Sequence, residues 1–179
     1  MSVTLTKTGP ASGEIAFSTT LGPEATFDYV ADFTKHQEWT DDLVTMERTS
    51  EGPIGVGATY RSVERMHPGA EMKEPTFAEV TAYDRPRLIE WKTWTAKQTG
   101  PKAMSSHQSF EVVPHGKGCH VTHRFSFEAP SALSKFSRRA FVAVADRFMG
   151  GAGASPKQLT KHAEQLQHVL DVRNAVEQL

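Results

Sequence analysis

The residues best suited to acid–base chemistry in this sequence are His123, Glu64 and Tyr60. His123 lies in the segment 118–129 (GCHVTHRFSFEA), where apolar and polar residues alternate as they do in a β-strand with one buried face. His123 shares the apolar phase of this alternation, which predicts that its imidazole points into the protein. A histidine so placed could act as a general acid or base, with Glu64 or Tyr60 assisting it.

The same alternation places a second polar group near His123. In the preceding strand Gln108 shares the inward face with Phe110, and if Val113 pairs with Gly118, Gln108 lies directly opposite His123. A mostly apolar surface with a few polar groups is typical of a small-molecule site. The alternative is that these polar groups only satisfy one another, as most buried polar groups do. The predicted ligand-binding residues are Trp39, Tyr60, Glu64, Trp91, Thr93, Gln108, Phe110, His123 and Phe125.

Other kinds of chemistry find little support in the residue spacing. His120 and His123 are three apart on a strand and face opposite sides, while His162 and His168 are six apart on a helix and lie on different faces. We therefore predict no metal site. The single cysteine, Cys119, is interpreted as an inert buried thiol. No cofactor is expected, because the glycine-rich segment 150–153 follows a helix and not a strand.

The candidate residues need a sheet and a helix to bring them together. Alternation between residues 14 and 129 predicts about seven strands, the first followed by two short helical segments and the other six running as a meander. Residues 155–179 predict a long C-terminal helix, with Pro156 in the first turn and apolar residues at spacings of three and four. The pattern indicates an α+β fold, in which a curved antiparallel sheet wraps around this helix and leaves space for a ligand.

Length and charge narrow the function classes. The 179 residues suffice for one domain with a sizeable core, which we place at 13–179 after an N-terminal tail at 1–12. A formal net charge of −1 gives no reason to expect nucleic acid as a partner. No apolar run is long enough for stable membrane insertion. The one cysteine and the polar N-terminus predict a cytoplasmic protein, and we expect a monomer or homodimer.

Four motifs carry a resemblance to a known superfamily. They are residues 22–32 (GPEATFDYVAD), 36–39 (HQEW), 52–60 (GPIGVGATY) and 80–88 (VTAYDRPRL). In this order they resemble the START/Bet v 1 (helix-grip) superfamily and, within it, the SRPBCC proteins of the polyketide cyclase/dehydrase type. The resemblance covers roughly residues 13–171. It implies the helix-grip fold with two short helices after the first strand.

Three hypotheses of function follow. The leading one is a carrier or sensor for a small lipophilic or aromatic molecule, bound between the sheet and the C-terminal helix. The second is a cofactor-independent cyclase or aromatase of the polyketide type, with His123 as general acid/base. The third is a protein-interaction module, which would have a filled interior. A helix predicted at 131–149, with basic and aromatic side chains, could serve as a lid, although a solvated basic face explains the same pattern.

Overall fold

The architecture is that of a sheet wrapped around one long helix. The computed structural model describes residues 2–9, 11–67, 70–71, 75–95, 105–128, 134, 136–137, 139–140 and 156–177. The helix predicted at 131–149 lies mostly outside the described residues, as does the glycine-rich segment at 150–154. The elements in chain order are β1 (Thr4–Gly9), β2 (Ser12–Thr19), α1 (Pro23–Ala31), a 3₁₀ helix (Phe33–Glu38), β3 (Leu43–Arg48), β4 (Thr59–His67), β5 (Ala70–Glu71), β6 (Thr76–Asp84), β7 (Leu88–Thr95), β8 (Ser105–His115), β9 (Gly118–Glu128) and α2 (Pro156–Glu177).

The sheet confirms the α+β helix-grip prediction. Eight strands run in the order β1-β2-β9-β8-β7-β6-β4-β3, every pair is antiparallel, and the two-residue β5 pairs with β4 off this path. The strands alternate between buried and more exposed side chains, which is the pattern of a sheet with one face on a core. Among the described residues, no helix is long and apolar enough to cross a bilayer.

The first strand corrects the predicted tail at 1–12. Thr4–Gly9 forms β1 and pairs with β2, with Leu5 opposite Ile15. Leu5 is partly buried and packs against the core. The segment TLTKTG carries a single apolar residue of this kind, too weak an alternation to indicate a strand without its partner.

The hairpin between β8 and β9 is tighter than predicted. His115 pairs with Gly118, so the loop has only two residues, and Gly116 takes a φ of 60° at its first position. A positive φ at that position is what a type II′ turn requires. Val113 therefore pairs with His120 and not with Gly118, and the predicted register was wrong by two residues.

A bulge in β6 reverses the alternation at its end. Val80 lies opposite Trp91, but the register shifts so that Ala82 lies opposite Glu90 and Tyr83 opposite Ile89. The ring of Tyr83 consequently packs edge-on against Phe27 at 5.4 Å. One extra residue exchanges the two faces of a strand, so Ala82 lies on the face opposite to the one that regular alternation from Val80 would give it.

The long helix covers the concave face and is anchored along its length. Leu159, Ala163, Leu166 and Leu170 are buried in the common core. Near the C-terminal end, the Asp171 carboxylate accepts hydrogen bonds from the turn that follows β2. The helix is thereby fixed over the sheet as one wall of an internal space.

Candidate ligand-binding cavity

A cavity of about 180 Å³ lies between the sheet and α2. Its wall is mostly apolar and combines strand residues, the 3₁₀ helix and one stripe of α2. The size is close to that of apolar cavities that hold a benzene-sized ligand, about 150 Å³. The lining residues are Ile15, Phe17, Phe33, His36, Trp39, Thr40, Asp42, Leu43, Met46, Ser62, Glu64, Thr76, Ala78, Trp91, Thr93, Gln108, Phe110, His123, Leu159, His162, Ala163 and Leu166.

His123 stands in a stack of aromatic rings on the sheet wall. Its imidazole lies 4.6 Å from the Phe110 ring and 5.9 Å from the Trp91 ring, with interplanar angles of 28° and 8°. Its pKa is lowered to about 3, mainly by burial and in smaller part by the neighbouring His36 and His162. His123 still keeps some accessible surface, which faces the cavity because the residue lines it.

A chain of polar side chains runs along this wall from His123. The Nε2 atom of His123 lies 3.1 Å from Oε1 of Gln108, and Nε2 of Gln108 donates to Oγ of Ser106 at 3.2 Å. The Ser106 and Thr93 hydroxyls lie 2.6 Å apart. Gln108, Thr93 and the Nε2 atom of His123 therefore find partners within the wall, as one of the two interpretations expected for these groups.

His36 is a second buried histidine that the sequence analysis did not select. Its Nε2 atom donates to the Val30 carbonyl oxygen at 2.9 Å, and burial lowers its pKa to about 4. The ring packs against Phe33 and Trp39 at 4.9 and 4.8 Å. These three residues are spaced by three, which is one face of a 3₁₀ helix, and that spacing was the available signal.

Two acidic residues, Asp42 and Glu64, and a third histidine, His162, also line the cavity. The Ser62 hydroxyl donates to Oε1 of Glu64 at 3.1 Å. Burial raises the pKa of Glu64, and the Asp42 carboxylate contributes to that rise. His162 Nε2 lies 3.4 Å from Oδ1 of Asp42, but the geometry is not that of a hydrogen bond. His162 lies at helical spacing from Leu159 and Leu166, on the same stripe of α2. The sequence analysis had considered His162 only as a possible metal ligand.

The structure brings together most of the sequence-selected residues. Trp39, Glu64, Trp91, Thr93, Gln108, Phe110 and His123 all line the cavity. Tyr60 does not, because it is fully buried behind Phe33, 4.6 Å away between ring centroids. Its hydroxyl finds no hydrogen-bond partner among the residues that the structure describes. Phe125 lies behind His123, 5.9 Å from its ring. Whether the lining residues contact a ligand stays a prediction.

The predicted pairing of Gln108 with His123 needs a correction of its geometry. In the observed register Gln108 lies opposite Phe125, and Phe110 lies opposite His123. The long glutamine side chain crosses diagonally to reach the imidazole, which is within range for neighbours offset by two residues on one face.

The structure also bears on the cysteine thiol and on possible metal ligands. Cys119 is a free, buried thiol whose pKa is raised by burial. Within the part of the chain that the structure describes, no group of three or more His, Cys, Asp or Glu side chains is arranged to hold a metal ion. Cys119 is therefore not a ready nucleophile, because a thiol with a raised pKa is mostly protonated at neutral pH.

A known protein family matches most of this sequence. The family described as "Polyketide cyclase / dehydrase and lipid transport" matches residues 11–166, which include the strands from β2 to β9 and the part of α2 that lines the cavity. The chain belongs to this family. A search among curated proteins finds no match. Membership agrees with the SRPBCC resemblance and with a role in lipophilic ligand binding or cyclase-like chemistry, without naming a ligand.

Solved structures show the same fold at low sequence identity. A protein from Rhodobacter sphaeroides is 13% identical with a TM-score of 0.61, covering 95% of this chain and 99% of that one. The di-domain ARO/CYC StfQ from the steffimycin biosynthetic pathway is 12% identical with a TM-score of 0.67, over 92% of this chain and 52% of that one. Ara h 8.0201 is 13% identical with a TM-score of 0.50, over 87% and 97%. This family member therefore has the helix-grip fold of Bet v 1-like proteins.

Proposed function

We propose that this protein is a carrier or sensor that binds a small aromatic, lipophilic molecule in the cavity between the sheet and α2. The observation that carries the proposal is the stacked wall of Trp91, His123 and Phe110, which borders a cavity of about 180 Å³. Flat rings on such a wall favour a flat ligand, because offset ring stacking adds to the burial of apolar surface. The volume suits one substituted ring.

The cyclase hypothesis receives less support from the same residues. A general base works best when its pKa lies near the working pH, whereas burial lowers the pKa of His123 to about 3. Of its two proposed helpers, Glu64 lines the cavity but Tyr60 does not. These observations favour binding over acid–base catalysis by His123.

The protein-interaction hypothesis expected a filled interior. A cavity of about 180 Å³ beneath α2 argues against that expectation. Protein interiors are normally packed with few voids larger than a water molecule. A hollow of this size is therefore a feature that ligand binding explains and a protein-docking surface does not.

The proposal is tested by filling the cavity from the helix side. Ala163 is buried and lines the cavity, so Ala163→Phe should occupy the space and abolish saturable quenching of tryptophan fluorescence by 4-ethylphenol. Ala175 lies on the same helix but is exposed, and Ala175→Phe is the matched control that should bind as the wild type does. Native mass spectrometry of the gently purified protein should also reveal a bound small molecule.

Two results would contradict the proposal. One is the absence of any saturable binding by the wild-type protein, together with a clean unliganded mass. The other is a folded Ala163→Phe variant that binds with unchanged affinity. Circular dichroism of the variants confirms that a loss of binding is not a loss of fold.

A further inference from the structure

The protonation of His36 is fixed by its hydrogen bond to the backbone. The Val30 carbonyl oxygen, 2.9 Å from Nε2 of His36, can only accept a hydrogen bond, so Nε2 must carry the proton. The neutral imidazole has one proton to place. Nδ1 of His36 is therefore a bare acceptor.

The protonation of His123 follows from the polar chain along the sheet wall. Gln108 uses its amide nitrogen to donate to Ser106 and turns its oxygen Oε1 toward Nε2 of His123. An amide oxygen accepts, so Nε2 of His123 donates and its Nδ1 is also a bare acceptor. The Thr93 and Ser106 hydroxyls share one hydrogen bond, so one hydroxyl hydrogen of this pair remains as a donor beside the two acceptors.

Both histidines line the cavity, and the position of each Nδ1 atom follows from the bond that its Nε2 atom makes. Neither has a hydrogen-bond partner among the described residues. In the same part of the chain, the fully enclosed side-chain atoms without a partner belong to Trp39, Asp42, Tyr60, Gln165 and Arg173. The two Nδ1 atoms are not in this set, so each keeps accessible surface. Because both residues line the cavity, that surface opens into it.

The two histidines lie on the same part of the wall. The Phe110 ring centroid is 4.6 Å from that of His123 and 6.1 Å from that of His36, so Phe110 connects the two imidazoles. An acceptor facing an apolar space costs free energy until a donor meets it. Two such acceptors beside an aromatic wall specify a ligand with a polar hydrogen and a flat ring.

We propose that the ligand is a neutral hydroxyaromatic compound of the phenol type, whose hydroxyl donates to Nδ1 of His123 or His36 while its ring lies on the Trp91–Phe110 wall. This inference deepens the proposed binding function and rests on it. A ligand that offers only acceptors, such as a carboxylate or a phenolate, would meet two nitrogen lone pairs and is disfavoured.

The test compares two probes of nearly equal shape, 4-ethylphenol and 4-ethyltoluene, which differ by a hydroxyl in place of a methyl group. An apolar cavity without an acceptor favours the toluene, because the phenol hydroxyl loses its hydrogen bonds to water. With a waiting acceptor, we expect the phenol to bind about fivefold more tightly. Both affinities are measured by tryptophan fluorescence excited beyond the absorption of the phenol ring.

His123→Phe removes the acceptor and keeps an aromatic ring in the stack. We expect the ratio of phenol affinity to toluene affinity, with both measured in this same variant, to fall below the wild-type ratio. Equal or tighter binding of the toluene by the wild-type protein would overturn the inference while leaving the binding function intact. Failure of both probes to bind would instead remove the proposed function itself.

A second measurement does not depend on the variant folding. Nitrogen-15 spectra of histidine-labelled wild-type protein show which ring nitrogen carries the proton. We expect two histidines protonated at Nε2 and bare at Nδ1, with the Nδ1 resonances moving when 4-ethylphenol is added. Protons found on the Nδ1 atoms of His36 and His123 would overturn the inference.

Discussion

Gln108 and His123 are joined by a 3.1 Å hydrogen bond although they are not partners in the sheet. Gln108 lies opposite Phe125, and His123 lies opposite Phe110, so the bond runs diagonally between β8 and β9. Gln108 thus holds the imidazole nearly parallel to the neighbouring aromatic rings. Its amide nitrogen donates to Ser106. The orientation of His123 depends on a residue in the neighbouring strand.

Replacing Gln108 tests this dependence. Gln108→Leu leaves the Nε2 proton of His123 without a partner, and we expect a loss of about 1–3 kcal/mol in the free energy of unfolding. Gln37 is exposed and makes a single 3.4 Å contact from its amide nitrogen to Thr34 O, so Gln37→Leu is the matched control and should have an effect near zero. Urea unfolding measures both. A Gln108→Leu variant as stable as the control would contradict the role assigned to the bond.

The buried histidines predict a loss of stability in mild acid. The pKa of His36 is lowered to about 4 and that of His123 to about 3, both mainly by burial, from an ordinary value of 6.5 in the unfolded chain. In mild acid both histidines therefore bind protons in the unfolded state and remain neutral in the folded state. Stability is complete above about pH 6.5 and falls as the pH drops toward the two folded values, by up to about 1.4 kcal/mol per pH unit for each histidine.

His123→Phe isolates one of these contributions. The slope of unfolding free energy against pH, measured with urea between about pH 5 and 6.5, should fall by about 1.4 kcal/mol per pH unit in the variant. His162, whose pKa burial also lowers, adds to the slope in both proteins. The raised pKa of Glu64 acts in the opposite sense, because that carboxyl favours folding as it becomes protonated. Identical slopes in variant and wild type would show that His123 is not buried in its neutral form.

Asp171 anchors the C-terminal half of α2, and its removal should loosen that end. One carboxylate oxygen, Oδ1, accepts from the Thr19 hydroxyl at 2.7 Å, from the Thr20 amide at 2.8 Å and from the Thr20 hydroxyl at 3.0 Å. Hydrogen bonds to a charged group are stronger than neutral ones, so Asp171→Ala should cost about 2–3 kcal/mol of unfolding free energy.

Two comparisons sharpen the Asp171 prediction. Asp171→Asn can keep an oxygen in place and should lose less stability than the alanine variant, while the exposed Glu164→Ala on the same helix should change little. Hydrogen exchange of α2 amides should rise near Asp171 in the alanine variant. Equal melting temperatures for Asp171→Ala and Glu164→Ala would refute the anchoring role.

Gly118 marks a place where two backbones touch. A Cβ atom on Gly118 would lie 2.0 Å from the carbonyl oxygen of Thr19, and backbone cannot move aside as a flexible side chain can. We expect Gly118→Ala to destabilise the protein by about 3 kcal/mol or more. A Cβ at Gly55 would meet nothing within 4 Å, so Gly55→Ala is the control and should be close to neutral in thermal unfolding. Similar melting points for the two variants would contradict the close approach.

The fold was accessible from the sequence because it depends on periodic patterns. Alternation placed Gln108, Phe110 and His123 on the inner face, and this assignment does not require the strand register to be known. The apolar stripe of α2 identified the element that covers the sheet. What these patterns did not reveal depends on single residues, such as the two-residue loop at Gly116 and the bulge that turns Tyr83 inward.

The cavity itself was only partly accessible. Phe33 and His36, which the sequence analysis did not select, reach it from a six-residue 3₁₀ helix, and so short an element gives only a weak periodic signal. Tyr60 has the right alternation but is screened from the cavity by Phe33, which is a packing contact between elements distant in sequence. Distinguishing a residue that lines a hollow from one directly behind it needs the third dimension.

The cavity under α2 also lowers the free energy of unfolding. Empty volume in a protein interior costs about 24 cal/mol per Å³, so about 180 Å³ corresponds to at most ~4 kcal/mol of forgone stability, less whatever water inside recovers. Selection for stability alone would close such a space, for instance by enlarging Ala163. Because the cavity stays open, the unliganded protein is less stable than the same fold would be with a filled interior. Any molecule that fits the cavity should therefore raise the melting temperature of the protein, and more so as occupancy increases.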